Sequence, residues 1–147
     1  MVNLNATELD LSHCYLKGDK SFSTYKDMVG WKFSAANLED SFFLQSDMRN
    51  SHFYLTILKD ATFNKVNLEG CAFDSSNLLN TKFKNCNLIN TSFDNAVVDD
   101  RDWFETLEKN ENTNVTELRE KYKLEDYFEF DDDHDFSKPE WYKILLK

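Results

Sequence analysis

The stretch that decides the fold is Cys71-Ala-Phe-Asp-Ser75, Ser76-Asn-Leu-Leu-Asn80, Thr81-Lys-Phe-Lys-Asn85, Cys86-Asn-Leu-Ile-Asn90. Each five-residue unit opens on a small residue and places a large apolar residue two positions later. Stepping outward by five, the large position reads Leu38, Phe43, Met48, Phe53, Leu58, Phe63, Leu68, Phe73, Leu78, Phe83, Leu88, Phe93 and Val98. The small position reads Ala36, Ser41, Ser46, Ser51, Thr56, Ala61, Val66, Cys71, Ser76, Thr81, Cys86, Thr91 and Ala96. Period five matches neither the 3.6 of a helix nor the 2 of a flat strand. It matches a chain that turns a corner every five residues. Residues two apart point the same way on a short strand, so the small and large residues of each unit share the interior. Asn stands before the central residue at Asn37, Asn67, Asn77 and Asn87, as suits a tight turn.

A second period tests the coil. If four units make one turn, every twentieth residue stacks. Phe33, Phe53, Phe73 and Phe93 then form one column and Leu38, Leu58, Leu78 and Val98 the next. Phe43, Phe63 and Phe83 form a third, with Trp103 placed to cap it, and Met28, Met48, Leu68 and Leu88 the fourth. Aromatic columns face each other, as do aliphatic ones.

The motif units Ala36-Asn37-Leu38, Ser46-Asp47-Met48, Ser76-Asn77-Leu78 and Cys86-Asn87-Leu88 resemble the pentapeptide-repeat family. The likeness covers about residues 26–100 and, less regularly, residues 9–18. It implies an all-β solenoid, a right-handed quadrilateral parallel β-helix. It is specific for fold and weakly specific for function, because this family hosts several functions.

Three segments are expected: a partial coil and loop over residues 1–25, the β-helix over 26–100, and an acidic, partly helical cap over 101–147. Leu11 and Leu16 keep a spacing of five out of register with Leu38, so an insertion is placed at 17–23. Arg101 takes a position that was small in every earlier unit, and the pattern stops there. Trp103, Phe104 and Leu107 have helical spacing. Asn114-Val-Thr-Glu117 and Ser137-Lys-Pro-Glu140 read as capping boxes, the second leading into a helix over Trp141, Ile144 and Leu145. Residues 124–135 alternate acidic and aromatic residues and read as extended or loose.

The net charge of −10 over 147 residues disfavours direct binding to nucleic acid or an anionic membrane and suits a basic protein partner. Residues 26–100 hold ten acids against seven bases, and residues 101–147 hold fourteen against eight. Two groups of candidate partner-binding residues emerge: Glu39, Asp40, Asp60, Asp99 and Asp100 beside the Leu column, and Glu129, Phe130, Asp131, Asp132 and Asp133 in the C-terminal segment. Each is either a solvated surface or a docking surface. Lys65, Lys82 and Lys84 lie on the next face. Outward-facing Phe42, Leu44, Tyr54, Leu55, Ile57 and Ile89 are expected to lie partly under the C-terminal segment.

Signals for chemistry are absent. Glycines at 18, 30 and 70 make no phosphate loop, and there is no Gly-x-Ser-x-Gly elbow. Asp131-Asp-Asp-His134-Asp135 is a weak cation-binding candidate against a solvated acidic run. Cys71 and Cys86 occupy inward positions as compact hydrophobes. The three cysteines, the lack of a basic-then-apolar start and the lack of a long apolar run point to a reduced cytoplasm. The expectation is a monomeric or dimeric bacterial binding protein, not an enzyme, with no cofactor and no metal. Three functions compete: neutralising a partner, as a toxin-immunity protein does; binding DNA gyrase by imitating DNA, as the resemblance implies for quinolone-protecting members; and serving as a structural adaptor.

Overall fold

The computed structural model describes residues 9–128 and 140–147. Each residue of the coil lies beside the one twenty positions later. Parallel bridges join Asp27 to Asp47, Lys32 to His52, Asn37 to Ile57 and Asn67 to Asn87. One side widens into three short parallel strands, β1 (Phe42–Leu44), β2 (Thr62–Asn64) and β3 (Lys82–Lys84), paired Phe43 to Phe63 to Phe83.

The interior is built of the predicted columns. Phe33, Phe53, Phe73 and Phe93 stack with centroids 4.6–5.3 Å apart and planes within 8°. Phe43, Phe63 and Phe83 do the same at 4.7 and 5.2 Å. The two columns meet edge to face across the core, at 5.7 Å and 88° for Phe63 with Phe73. Stacked and T-shaped pairs suit the ring quadrupole, adding about 0.5–1.5 kcal/mol per pair beyond burial.

The small inward residues carry a second ladder. Ser51, Thr56, Thr81 and Thr91 donate their hydroxyls to the carbonyls of Met28, Phe33, Leu58 and Leu68, each twenty-three residues earlier, at 2.8–3.0 Å. Cys71 Sγ does so to Met48 at 2.9 Å. A polar group this deep needs a partner, and the rung below supplies it. The Asn residues earn their place outside. Asn37, Asn67, Asn77 and Asn87 each accept the N–H two residues on, at 3.0–3.2 Å, which shapes the turn. Two positions past the centre the backbone turns left-handed at every corner, from Ala35 (φ 58°) to Asn95 (φ 61°).

The first turn holds two extra residues, since Asp10 pairs with Lys32 and Tyr15 with Asn37. Phe22, in a 3-10 turn over Ser21–Ser23, is buried and stacks on Phe43 at 5.1 Å. The inserted segment therefore contributes the base of an aromatic column.

At the other end β4 (Val97–Val98) is followed by α1 (Trp103–Lys109), α2 (Val115–Lys121), β5 (Tyr122–Tyr127) and β6 (Trp141–Leu146). Trp103 meets Phe93 edge-on at 5.1 Å, as Phe83 does at 5.9 Å, so it takes the place of one more ring. Asn114 begins α2 with φ 69°, and its amide nitrogen approaches the Glu117 carboxylate at 3.0 Å.

The helix expected over Trp141–Leu145 is instead β6, antiparallel between β4 and β5. The last rung leaves an open edge, and pairing Val97 with Lys143 and Val98 with Tyr142 closes it. An open edge rewards extended chain, and Ile144 alternates into the core with no exposed surface. The Ser137-Lys-Pro-Glu140 box lies largely outside the described residues.

Candidate functional site

Corner geometry places the acidic candidates. On the Leu38–Leu58–Leu78–Val98 side, the corner position reads Asp40, Asp60, Asn80 and Asp100 in successive rungs, and the first three are left-handed. Rungs lie ~4.8 Å apart. The position before it reads Glu39, Lys59, Leu79 and Asp99. Asn80 ties the ridge together: its Nδ2 donates to Asp60 Oδ1 at 2.6 Å and its N–H to Asp99 Oδ1 at 2.9 Å. Asp100 accepts the N–H of Asp102 at 2.8 Å and the hydroxyl of Thr106. All five rod candidates thus lie along one corner.

The ridge is not uniformly acidic. Lys17 pairs with Glu39 at 3.1 Å, a contact that raises the Lys17 pKa. Lys59 interrupts the column. Lys65, Lys82 and Lys84 stand on the neighbouring side.

The opposite border of the same side carries Asp74 and Asp94, which the repeat places in one column above Tyr54. Asp74 Oδ1 accepts the Asp94 N–H at 2.8 Å, and Ser92 donates to Asp74 Oδ2 at 2.5 Å. These acids were missed in the sequence because they are isolated along the chain and gather only when stacked.

From the foot of the Asp74–Asp94 column toward the ridge runs an apolar patch. Tyr54, Leu55 and Ile57 are 49%, 51% and 40% exposed. The C-terminal segment does not cover them, nor Ile89 at 39%, among the described residues; it closes the end of the rod instead. Phe42 and Leu44 are half-buried. Leu55 sits at a left-handed corner with φ 55°, where Asn, Asp and Gly are the economical choices. Directly above, Ser75, Asn77, Leu79 and Val97 form a cleft of about 210 Å³ with Tyr127 and Trp141 of the β5–β6 pair.

Glu129, Phe130, Asp131, Asp132 and Asp133, and the cation candidate at 131–135, lie outside the described residues. Among the described residues no cluster of three His, Cys, Asp or Glu side chains is placed to hold a metal. No described helix is long and apolar enough to cross a membrane. Burial pushes the Cys71 thiol up to about 12 and the Cys86 thiol to about 11, far from the range of a nucleophile.

Fold and surface together define a parallel β-helix scaffold: a filled rod with a closed end, presenting an apolar patch that runs from one acidic border toward the other. The pentapeptide-repeat family model matches residues 32–70 and 61–98 with 8 copies of the repeat, so this part of the chain is a coil of pentapeptide repeats. No curated protein sequence matches the chain. Among solved structures it is similar to QnrB1, a plasmid-mediated fluoroquinolone resistance protein, at 21% identity and a TM-score of 0.40, covering 60% of this chain and 48% of that one. It is also similar to HetL, a pentapeptide-repeat protein involved in heterocyst differentiation regulation in the cyanobacterium Nostoc, at 14% identity and a TM-score of 0.34, covering 59% and 48%. The chain thus spans about half the length of these two proteins.

Proposed function

We propose that this protein is a non-catalytic scaffold that binds a basic partner protein and inhibits or neutralises it, in the manner of an immunity protein against a bacterial toxin. The observation that carries this reading is the exposed Tyr54–Leu55–Ile57 patch, which runs from the foot of the Asp74–Asp94 column toward the Asp40–Asp60–Asp99–Asp100 ridge. Aromatic and aliphatic anchors supply affinity at an interface centre, while surrounding charge steers and selects the partner. Stacked carboxylates repel by up to about 1 kcal/mol per close pair in water. A bulky exposed Leu at a left-handed corner is locally unfavourable as well. Two departures from the best-folding choice on one side favour a surface kept for recognition. We take residues 26–100 as the recognition rod, residues 1–25 as its base and residues 101–147 as its cap, acting in the bacterial cytoplasm without a cofactor. Glu129, Phe130, Asp131, Asp132 and Asp133 remain proposed contributors to the same contact.

The test is capture of a partner on the immobilised full chain at low and high salt, beside an Asp40→Lys/Asp60→Lys variant. A single basic protein, released at high salt and not retained by the variant, supports the reading. Capture that the charge reversal leaves unchanged removes it. The alternative is a gyrase-binding protein of the quinolone-protecting type. Its acidic ridge on a straight rod suits that reading, while Lys59, Lys65, Lys82 and Lys84 count against imitation of DNA. Inhibition of gyrase supercoiling by the pure protein would select it, and neither result would leave a plain adaptor.

A further inference from the structure

Where the coil ends, it ends unevenly. In the rungs below, the N–H of each central residue donates upward: Phe33 to the His52 carbonyl at 2.7 Å, Phe53 to Ala72 at 2.7 Å, Phe73 to Ser92 at 2.8 Å. The carbonyl of each small residue accepts from above: Ala36 from Ile57 at 3.0 Å, Ala61 from Lys82 at 2.9 Å. Above β3 the residue due to complete this exchange is Asp102. It turns away, giving its N–H to Asp100 Oδ1 at 2.8 Å and its carbonyl to the Thr106 N–H at 2.9 Å. The cause is Arg101, which stands at a small inward position and is exposed. A guanidinium cannot enter the filled core without large desolvation, so the chain leaves the rung and begins α1.

The departure opens a cleft of about 330 Å³ between β3 and α1, within the lower range of ligand sites. Phe83, Trp103 and Leu107 are among its apolar lining residues, and Asp99, Asp100 and Lys82 are its charged ones. Thr81 and Phe83 line this cleft, and β3 is the last strand of its sheet, so no strand lies above them to take the Phe83 N–H and Thr81 carbonyl. Its two carboxylates outnumber its one ammonium, and neither Asp99 nor Asp100 forms an ion pair among the described residues.

We propose that this cleft binds an extended peptide segment bearing an arginine or lysine. One residue of the segment takes the place of the missing rung, its N–H donating to Thr81 and its carbonyl accepting from Phe83. The cationic side chain lies against Asp99 and Asp100, and its methylenes lie within the cleft. Strand addition supplies the backbone bonds and the acids supply selectivity. The inference deepens the preceding proposal, on which its choice of a protein ligand rests, by giving the basic partner a point of insertion.

The experiment uses the full ¹⁵N-labelled chain titrated with N-acetylarginine amide and, separately, N-acetylglutamine amide. The expected result is saturable movement of the Phe83 amide and Trp103 indole resonances with the arginine probe, at least tenfold weaker with the glutamine probe. Asp99→Asn should weaken it at least tenfold and Lys82→Glu should strengthen it, with melting transitions of both variants retained. Equal response to both probes, or shifts scattered over surface acids with Phe83 and Trp103 unmoved, overturns the proposal. The probe reads the cleft and the capture experiment reads the ridge, so either can fail without the other.

Discussion

The Tyr122 hydroxyl accepts the backbone N–H of Phe93 at 3.2 Å, and Tyr122 itself is only 1% exposed. Phe93 is the last ring of its column, and its N–H would otherwise face a rung that does not exist. A side chain from β5 thus does what backbone does elsewhere. Asn112 works alike, accepting the Cys86 N–H at 2.9 Å and donating to the Phe83 carbonyl at 2.8 Å. Tyr122→Phe should destabilise the protein by about 1–3 kcal/mol by orphaning a buried donor, measured as a lower urea midpoint with unchanged slope.

Truncation before Arg101 should be far more severe. It removes β6 from the edge of β4, the Tyr122 and Asn112 bonds, and the Trp103 ring over Phe93. Uncapped repeat arrays expose core and strand edge together. The fragment should aggregate on light scattering where the full chain stays monodisperse; an equally stable, soluble fragment would refute the capping role.

Phe63→Ala should cost roughly 3–5 kcal/mol. Its ring is fully buried, stacked on Phe43 and Phe83 and edge-on to Phe53 and Phe73. Phe22→Ala, at the base of the same column, should cost less because its cavity opens toward solvent. Chemical denaturation of the two variants gives the comparison.

Two serines with the same repeat position should behave differently. Ser51 donates to Met28 at 2.8 Å, whereas Ser46 Oγ is buried without a partner among the described residues. Ser51→Ala should lose about 1 kcal/mol, and Ser46→Ala should be neutral or stabilising.

Thiol chemistry offers a pH test. Burial first of all raises the Cys71 and Cys86 pKa values, to about 12 and about 11. The thiolate is the reactive form, so neither should react with a disulfide reagent in the native protein at pH 7–9. Only Cys14, which is half-buried, should label natively, and all three should label in denaturant. Rapid native labelling of Cys71 would contradict its place in the core.

The coil was legible because every unit repeats the same local bargain: a small and a large residue inward, Asn shaping the turn, a left-handed corner. The acidic ridge was legible for the same reason, since stepping by twenty stacks Asp40, Asp60 and Asp100. What escaped lies where the repeat stops. Phe22 was hidden by two extra residues that shift the register by one in each of two units. The apolar spacing of Trp141, Ile144 and Leu145 fits both helix and strand, and only the unpaired edge of β4 decides between them. Asn112 carries no periodic mark at all; its role exists only because the rod ends beneath it.

The left-handed corners recur every fifth residue with φ of 50–61° outside glycine, and four of them return the chain to its starting azimuth. Length is therefore quantised. Duplicating any twenty-residue stretch within 31–90 would add one storey of ~4.8 Å, restore every column above it, and hand the same unfinished top to the same closing elements. The molecule behaves as a ruler whose graduations can be added without redrawing either end.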